Sequence, residues 1–137
     1  MPLIRMEHYL VLTDDVGATR DFYVDVLGMS EGFRPPMEFP GYWLYMDSTH
    51  CIHIGEREAY QRHGDATGLS VSQRAPGTGP VDHIAFNATG HDAMVALLEG
   101  RGITHGRNAV AAIGLQQIFV HDPNGVKIEL NYMQQRS

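Results

Sequence analysis

Lysine is almost absent from this chain: Lys127 is the only one, and the other basic residues are scattered arginines. The formal net charge is −6 and no basic cluster appears, so nucleic acid and acidic membranes are poor partners. Phosphate binding needs concentrated positive charge. Cysteine is equally scarce. A single thiol, Cys51, cannot close an intrachain disulfide, so the chain is not built around an oxidising compartment. No apolar run approaches the ~20 residues that span a bilayer. The opening residues, MPLIRMEHYLVLTDD, carry charges through their apolar stretch and lack a small-residue cleavage site. No signal peptide is read there, and the cytoplasm is the expected location. What is present is 137 residues, 43% of them hydrophobic, which suits one compact domain over residues 1–137. Eight histidines are many for such a chain, and their positions repay attention.

Residues 3–12 alternate as a strand, with Met6, His8, Leu10 and Leu12 on one face and Tyr9 and Val11 on the other. Thr13, Asp14 and Asp15 supply N-cap chemistry for a helix running to about Leu27. Its apolar stripe is Val16, Thr19, Phe22, Tyr23 and Val26, and Gly28 ends it. A short strand near Met29–Phe33 runs into Arg34-Pro35-Pro36, which excludes a central position. Strands follow at 41–46 and 50–55, joined by a turn at Asp47-Ser48-Thr49. Residues 56–80 are polar and rich in glycine and proline, and read as a loop-like linker. Beyond it come a strand at 81–87 and a helix capped by Thr89 with Asp92 three residues on. Its apolar stripe is Met94, Leu97 and Leu98, and Gly100 or Gly102 closes it. Strands near 103–109, 115–121 and 126–131 complete the chain, the last two joined by Asp122-Pro123-Asn124-Gly125. Asn-Gly signals a hairpin because both residues accept positive φ.

The two halves match each other. Met6-Glu7-His8-Tyr9 corresponds to Val81-Asp82-His83-Ile84, and Asp47 to Asp122, at one offset. With one residue inserted in the second turn, Cys51-Ile52-His53-Ile54 aligns with Lys127-Ile128-Glu129-Leu130. Each half is then a βαβββ unit, the first over about 3–55 and the second over about 81–131, with one ligand-type side chain on its first strand and one on its last. Ile52, Ile54, Ile128 and Leu130 point to the core, so His53 and Glu129 face the other, concave side. If the first and last strands of a unit pair, His8, His53, His83 and Glu129 converge on one ion. Imidazole and carboxylate suit first-row divalent metals such as Ni, Zn, Fe, Mn or Co. Four protein ligands on a six-coordinate ion leave two adjacent positions for a small substrate that chelates through neighbouring oxygens.

Taken singly, each of these histidines reads better as a surface or satisfied-core residue, and the joint pattern is what points to metal. His50 and His121 sit beside turns and are expected to face water, as is His91 near a helix start. His63 falls in the linker. His105 and Arg107 lie on a strand that could line the hollow and bind substrate, although an exposed strand face explains them equally well. Gln117 could orient a substrate oxygen, against the alternative of ordinary strand pairing. Trp43, Tyr42 and Tyr45 read as core or dimer-contact residues, and Cys51 as a buried inert thiol.

The segments MEHYLVLTDDVGATRDFYVDVLGM, VDHIAFNATGHDAMVALLEGRGI and LQQIFVHDPNGVKIELNY resemble the vicinal oxygen chelate superfamily, which includes glyoxalase I, bleomycin-resistance proteins and extradiol dioxygenases. The resemblance spans nearly all of the chain outside 56–80. Its phrases from Asp21 to Gly28 and from Asp122 to Leu130 are specific for the fold and not for one reaction. It implies an α+β fold in which two βαβββ repeats form an eight-stranded, cup-shaped mixed sheet with flanking helices, and it implies a homodimer. It carries metal ligation onto His8, His83 and Glu129. His53 stands where glyoxalase I has a glutamate that also shuttles protons. The reading it favours is a metal-dependent, glyoxalase-like lyase or isomerase, with Glu129 and His53 as catalytic residues. The alternatives are an Fe(II)-dependent extradiol-type dioxygenase, which needs only His8, His83 and Glu129, and a binding or resistance protein without catalysis.

Overall fold

Side-chain alternation sorts each strand into a buried row and an open row. The structure, a computed structural model, describes residues 2–68 and 76–134. It divides into two compact units, Met1–Ala75 and Pro76–Ser137.

The first unit holds strand β1 (Tyr9–Thr13), helix α1 (Val16–Asp21) running on into a π-helical turn (Phe22–Val26), and strands β2 (Ser30–Gly32), β3 (Gly41–Met46) and β4 (Thr49–Glu56). Helix α2 (Arg57–Thr67) follows. The strands form one sheet in the order β1-β4-β3-β2. β1 and β4 are parallel, and the other neighbours antiparallel. The second unit holds β5 (Ile84–Asn87), α3 (His91–Gly100), β6 (His105–Val110), a short 3₁₀ turn, β7 (Leu115–His121) and β8 (Lys127–Met133). Its order, β5-β8-β7-β6, repeats the first, again with a parallel pair between first and last strands. The fold is α+β, with eight strands in two mixed four-stranded sheets flanked by helices.

The buried rows are those expected. Ile52, Ile54, Ile128 and Leu130 are all buried. Leu44 joins the first pair, and Ile118 and Val120 the second. Helix α1 begins with Asp15 accepting from the Ala18 N–H at 2.9 Å, and it buries Thr19, with Tyr23 and Val26 buried on the π turn. The π turn, closed by Leu27 N–H on Phe22 O, was not legible in the apolar spacing. Pro35 and Pro36 follow β2, which is an edge strand as expected.

Four local expectations change. β1 begins at Tyr9 and β5 at Ile84, so His8 and His83 each stand one residue ahead of the paired strand. The apolar residues before them have no strand partner, and Leu3, Ile4 and Met6 are exposed. Residues 57–67 of the expected linker are helical, because Arg, Glu, Ala and Gln favour helix and only Gly64 opposes it. Gly68, in the left-handed region at φ 78°, stops that helix. Phe39 packs on Tyr60 and His63 of α2. Residues 69–75 of the linker lie outside the described residues. Helix α3 is capped by Gly90 rather than Thr89, with no side-chain cap bond. Its first residue, His91, is not open to water as expected: the ring lies edge-on to buried Tyr132 at 5.3 Å.

The two β turns before the last strands also differ. Asp122 is 5% exposed and its Oδ1 accepts the Asn124 and Val126 N–H groups, each at 2.8 Å. Among its described residues only Gly125 takes positive φ, at 79°, so the turn is held by the aspartate rather than by an Asn-Gly pair in the left-handed region. Asp47 instead adopts φ 51° itself. Removing Asp122's buried acceptor leaves two donors unsatisfied. Asp122→Ala is expected to cost about 1–3 kcal/mol of stability, read as a lowered urea midpoint with unchanged slope. An unchanged midpoint would contradict this account of the turn.

Candidate functional site

In the first unit the parallel register sets Leu10 beside His53, and the antiparallel register sets Trp43 on its other side. Strand neighbours share a face, so Trp43 and His53 stand together on the open row. His8, two residues before Leu10, reaches the same face. The result is a three-ring stack. The His8 and His53 centroids are 3.6 Å apart with planes 11° from parallel, and His53 and Trp43 are 4.1 Å apart at 11°. His50 completes the group. Its ring lies 4.3 Å from Trp43, and its Nδ1 is 2.9 Å from His53 Nε2. One potential ligand atom from each of His8, His50 and His53 lies within 4.8 Å of the others.

In the second unit the register sets Ala85 and Phe119 on either side of Glu129. His83 Nε2 comes within 3.6 Å of Glu129 Oε1. The other carboxylate oxygen accepts from Asn131 Nδ2 at 2.9 Å. Asn131 Oδ1 accepts from Gln117 at 3.1 Å, and Gln117 Oε1 accepts from Asn108 at 2.9 Å. A chain of amides thus crosses three strands and ends on Glu129.

The two units share one further feature. His8 Nδ1 lies 2.8 Å from Glu7 Oε1, and His83 Nδ1 lies 2.8 Å from Asp82 Oδ2. A carboxylate on one ring nitrogen fixes the tautomer and leaves the other nitrogen as a basic donor, as it does for metal-bound histidines. The hydrogen bond to His8 lowers the Glu7 pKa, and those from His83 and Lys127 lower that of Asp82. In each unit taken by itself, the imidazoles of the first and the imidazole and carboxylate of the second are donor types that suit first-row divalent cations.

Of the residues singled out in the sequence, the structure joins His8 to His53 and His83 to Glu129. Gln117 faces the same side as Glu129 but is tied into the amide chain. Arg107 and His105 do not belong there. They pair with Ile118 and Val120, both fully buried, and so share the helix-covered face. Arg107 reaches Glu99 of α3 at 2.8 Å, and His105 Nδ1 lies 2.9 Å from Ile103 O. The sequence reading had no register for β6, and a one-residue change of phase inverts a strand. His50, expected in water, was missed. Its signal was its spacing of three from His53 across an irregular stretch of β3, where the register shifts between Leu44 and Met46. Trp43 is half-buried rather than core, and stacks on His53 and His50. Cys51 is half-buried, and burial raises its pKa, as suits an inert thiol.

The sequence matches the family model for the glyoxalase/bleomycin resistance protein/dioxygenase superfamily over residues 5–130. The chain belongs to that superfamily. It is 29% identical over 133 residues to glyoxylase I 4 of Arabidopsis thaliana, covering 93% of this chain and 70% of the relative. A virulence protein from Salmonella typhimurium superposes with TM-score 0.72 at 21% identity, covering 98% of this chain and all of the other. A lactoylglutathione lyase from Agrobacterium tumefaciens superposes with TM-score 0.72 at 17% identity, covering 96% and 95%. At those identities the two structures establish the fold alone. Among the described residues no helix is long and apolar enough to cross a membrane.

Burial, then repulsion from His8 and His50, lowers the His53 pKa from 6.5 to about 4, with Glu7 acting partly against them. Between those values the unfolded chain binds the proton that the folded chain refuses. This contribution to stability is fully present above about pH 6.5 and is lost as pH falls through about 4. Metal-free His53→Gln should therefore lose less stability than the parent chain between those pH values, measured by urea midpoints at each pH. Equal losses in the two proteins would refute the assignment.

Proposed function

We propose that this chain is a metal-dependent vicinal oxygen chelate enzyme, a glyoxalase-like lyase or isomerase, working in the cytoplasm as a homodimer. Its substrate is a small molecule that presents two adjacent oxygens to a divalent ion. The ligands in this reading are His8 and His53 from the first unit and His83 and Glu129 from the second. The observation that carries it is the carboxylate-backed histidine at the same place in both units, Glu7–His8 and Asp82–His83, each beside the ligand-type residue of its unit's last strand.

When bound, the ion supplies Lewis acidity to the substrate oxygens. The remaining work belongs to the chain. Glu129 is the group to take and return a proton, since Asn131 holds only one of its oxygens and the other is turned toward His83. Gln117 and Asn108 hold Asn131 in turn, which keeps the carboxylate from swinging. Gln117 retains a second amide N–H for a substrate oxygen. In the first unit, half-buried His50 and His53 with Trp43 make the open sheet face less polar.

A second reading has its own support. His53 Nε2 already faces His50, which favours a three-ligand set of His8, His83 and Glu129. That is the two-histidine, one-carboxylate triad of Fe(II) dioxygenases with open positions for catecholate and oxygen.

Metal analysis and an oxygen electrode separate these readings. In the first, Ni, Zn, Co or Mn restores activity after chelation with no oxygen uptake, and both His83→Gln and Glu129→Gln weaken metal binding at least tenfold. Oxygen uptake with a catechol, supported only by ferrous iron, selects the second. Full metal affinity in the double variant His83→Gln/Glu129→Gln would defeat both.

A further inference from the structure

The cluster of His8, His50 and His53 lies entirely within the first unit, and the four-ligand reading leaves His50 without a role. We propose that His50 is a metal ligand, and that His8, His50 and His53 form a three-imidazole site for a borderline divalent ion such as zinc. The proposal goes beyond the function above. It shares His8 and His53 with that reading but needs nothing from the second unit.

The geometry is close to what such a site requires. Zinc–nitrogen bonds of about 2.0–2.1 Å put two nitrogens on a tetrahedral ion about 3.3 Å apart. His50 Nδ1 and His53 Nε2 are already 2.9 Å apart. At that distance one ring donates its N–H to the other's lone pair; with that hydrogen moved to the donor ring's second nitrogen, both lone pairs are open to an ion. The third donor atom lies within 4.8 Å of the others, so a movement of about 1.5 Å brings it to ligand spacing. Stacked rings aim their lone pairs side by side rather than at one point, so His8 must turn out of its stack on His53. It is placed to do so, because it precedes β1 and is exposed. Glu7 on the His8 Nδ1 offsets part of the ion's charge and leaves the other ring nitrogen to face it. Three imidazoles leave a fourth position open to water or a small anion, the donor arrangement of a reactive rather than a structural zinc.

The site has a built-in reporter. Trp43 is the only tryptophan in the chain and stacks on both His53 and His50. The test uses the full chain carrying His83→Gln/Glu129→Gln, titrated with zinc and with cobalt(II), following Trp43 emission and cobalt absorption. The double variant should bind one equivalent, change Trp43 emission and show the intense visible bands of tetrahedral cobalt. Adding His50→Gln should weaken zinc binding at least tenfold, and adding His50→Cys, which keeps a ligand there, should restore most of it. Far-UV circular dichroism verifies that each variant is folded. The proposal is overturned if the double variant takes up no zinc, or if adding His50→Gln leaves affinity unchanged. The four-ligand reading fails by a different result, equal zinc affinity of the parent chain and the double variant.

Discussion

Everything at the candidate site depends on the parallel pairing of the first and last strands within each unit. That pairing places Leu10 beside His53 and Ala85 beside Glu129, with the aromatic residues Trp43 and Phe119 on the far side of each. It is held in register from behind. Ile52 and Ile54 on one strand, and Ile128 and Leu130 on its counterpart, are buried, and a slip of one residue would expose them. The polar row is therefore fixed by the apolar row it alternates with. Four buried aliphatic side chains determine where a histidine and a glutamate point.

On this shared frame the two units have diverged in chemistry. The first offers imidazoles only, packed against an indole, with His53 held neutral by burial and by its neighbours. The second offers a carboxylate braced by a run of amides across β8, β7 and β6. The turns before the last strands diverge in the same way: Asp122 is buried and accepts backbone donors, whereas Asp47 takes the strained left-handed conformation itself. What stayed alike is the acid immediately before each first-strand histidine, Glu7 and Asp82. Each acid bonds the Nδ1 of its neighbouring histidine, and Asp82 also accepts from Lys127 of β8.

The family membership and the local geometry constrain function to different degrees. Membership, over residues 5–130, sets the architecture and a general kind of site. The side chains narrow it further. Glu129 stands on β8, its counterpart on β4 is His53, and that histidine has a second imidazole, His50, at its Nε2. That contact, at 2.9 Å, lies wholly within the first unit.

The sequence by itself determined the duplication, the order of elements in each unit and the faces of the last strands, because periodicity and turn residues are local signals. His8, His53, His83 and Glu129 stood out for the same reason, occupying equivalent places in two copies of one pattern. Only tertiary structure decided the rest. Arg107 and His105 went to the helix side because β6 takes its phase from β7. The helical propensity of residues 57–67 is local, but that Phe39 packs on Tyr60 and His63 of this helix is a matter of tertiary packing alone. His50 came to His53 through an irregularity in strand pairing. Register, packing partners and bulges are relations between segments distant in the chain, and they exist only once the strands have met.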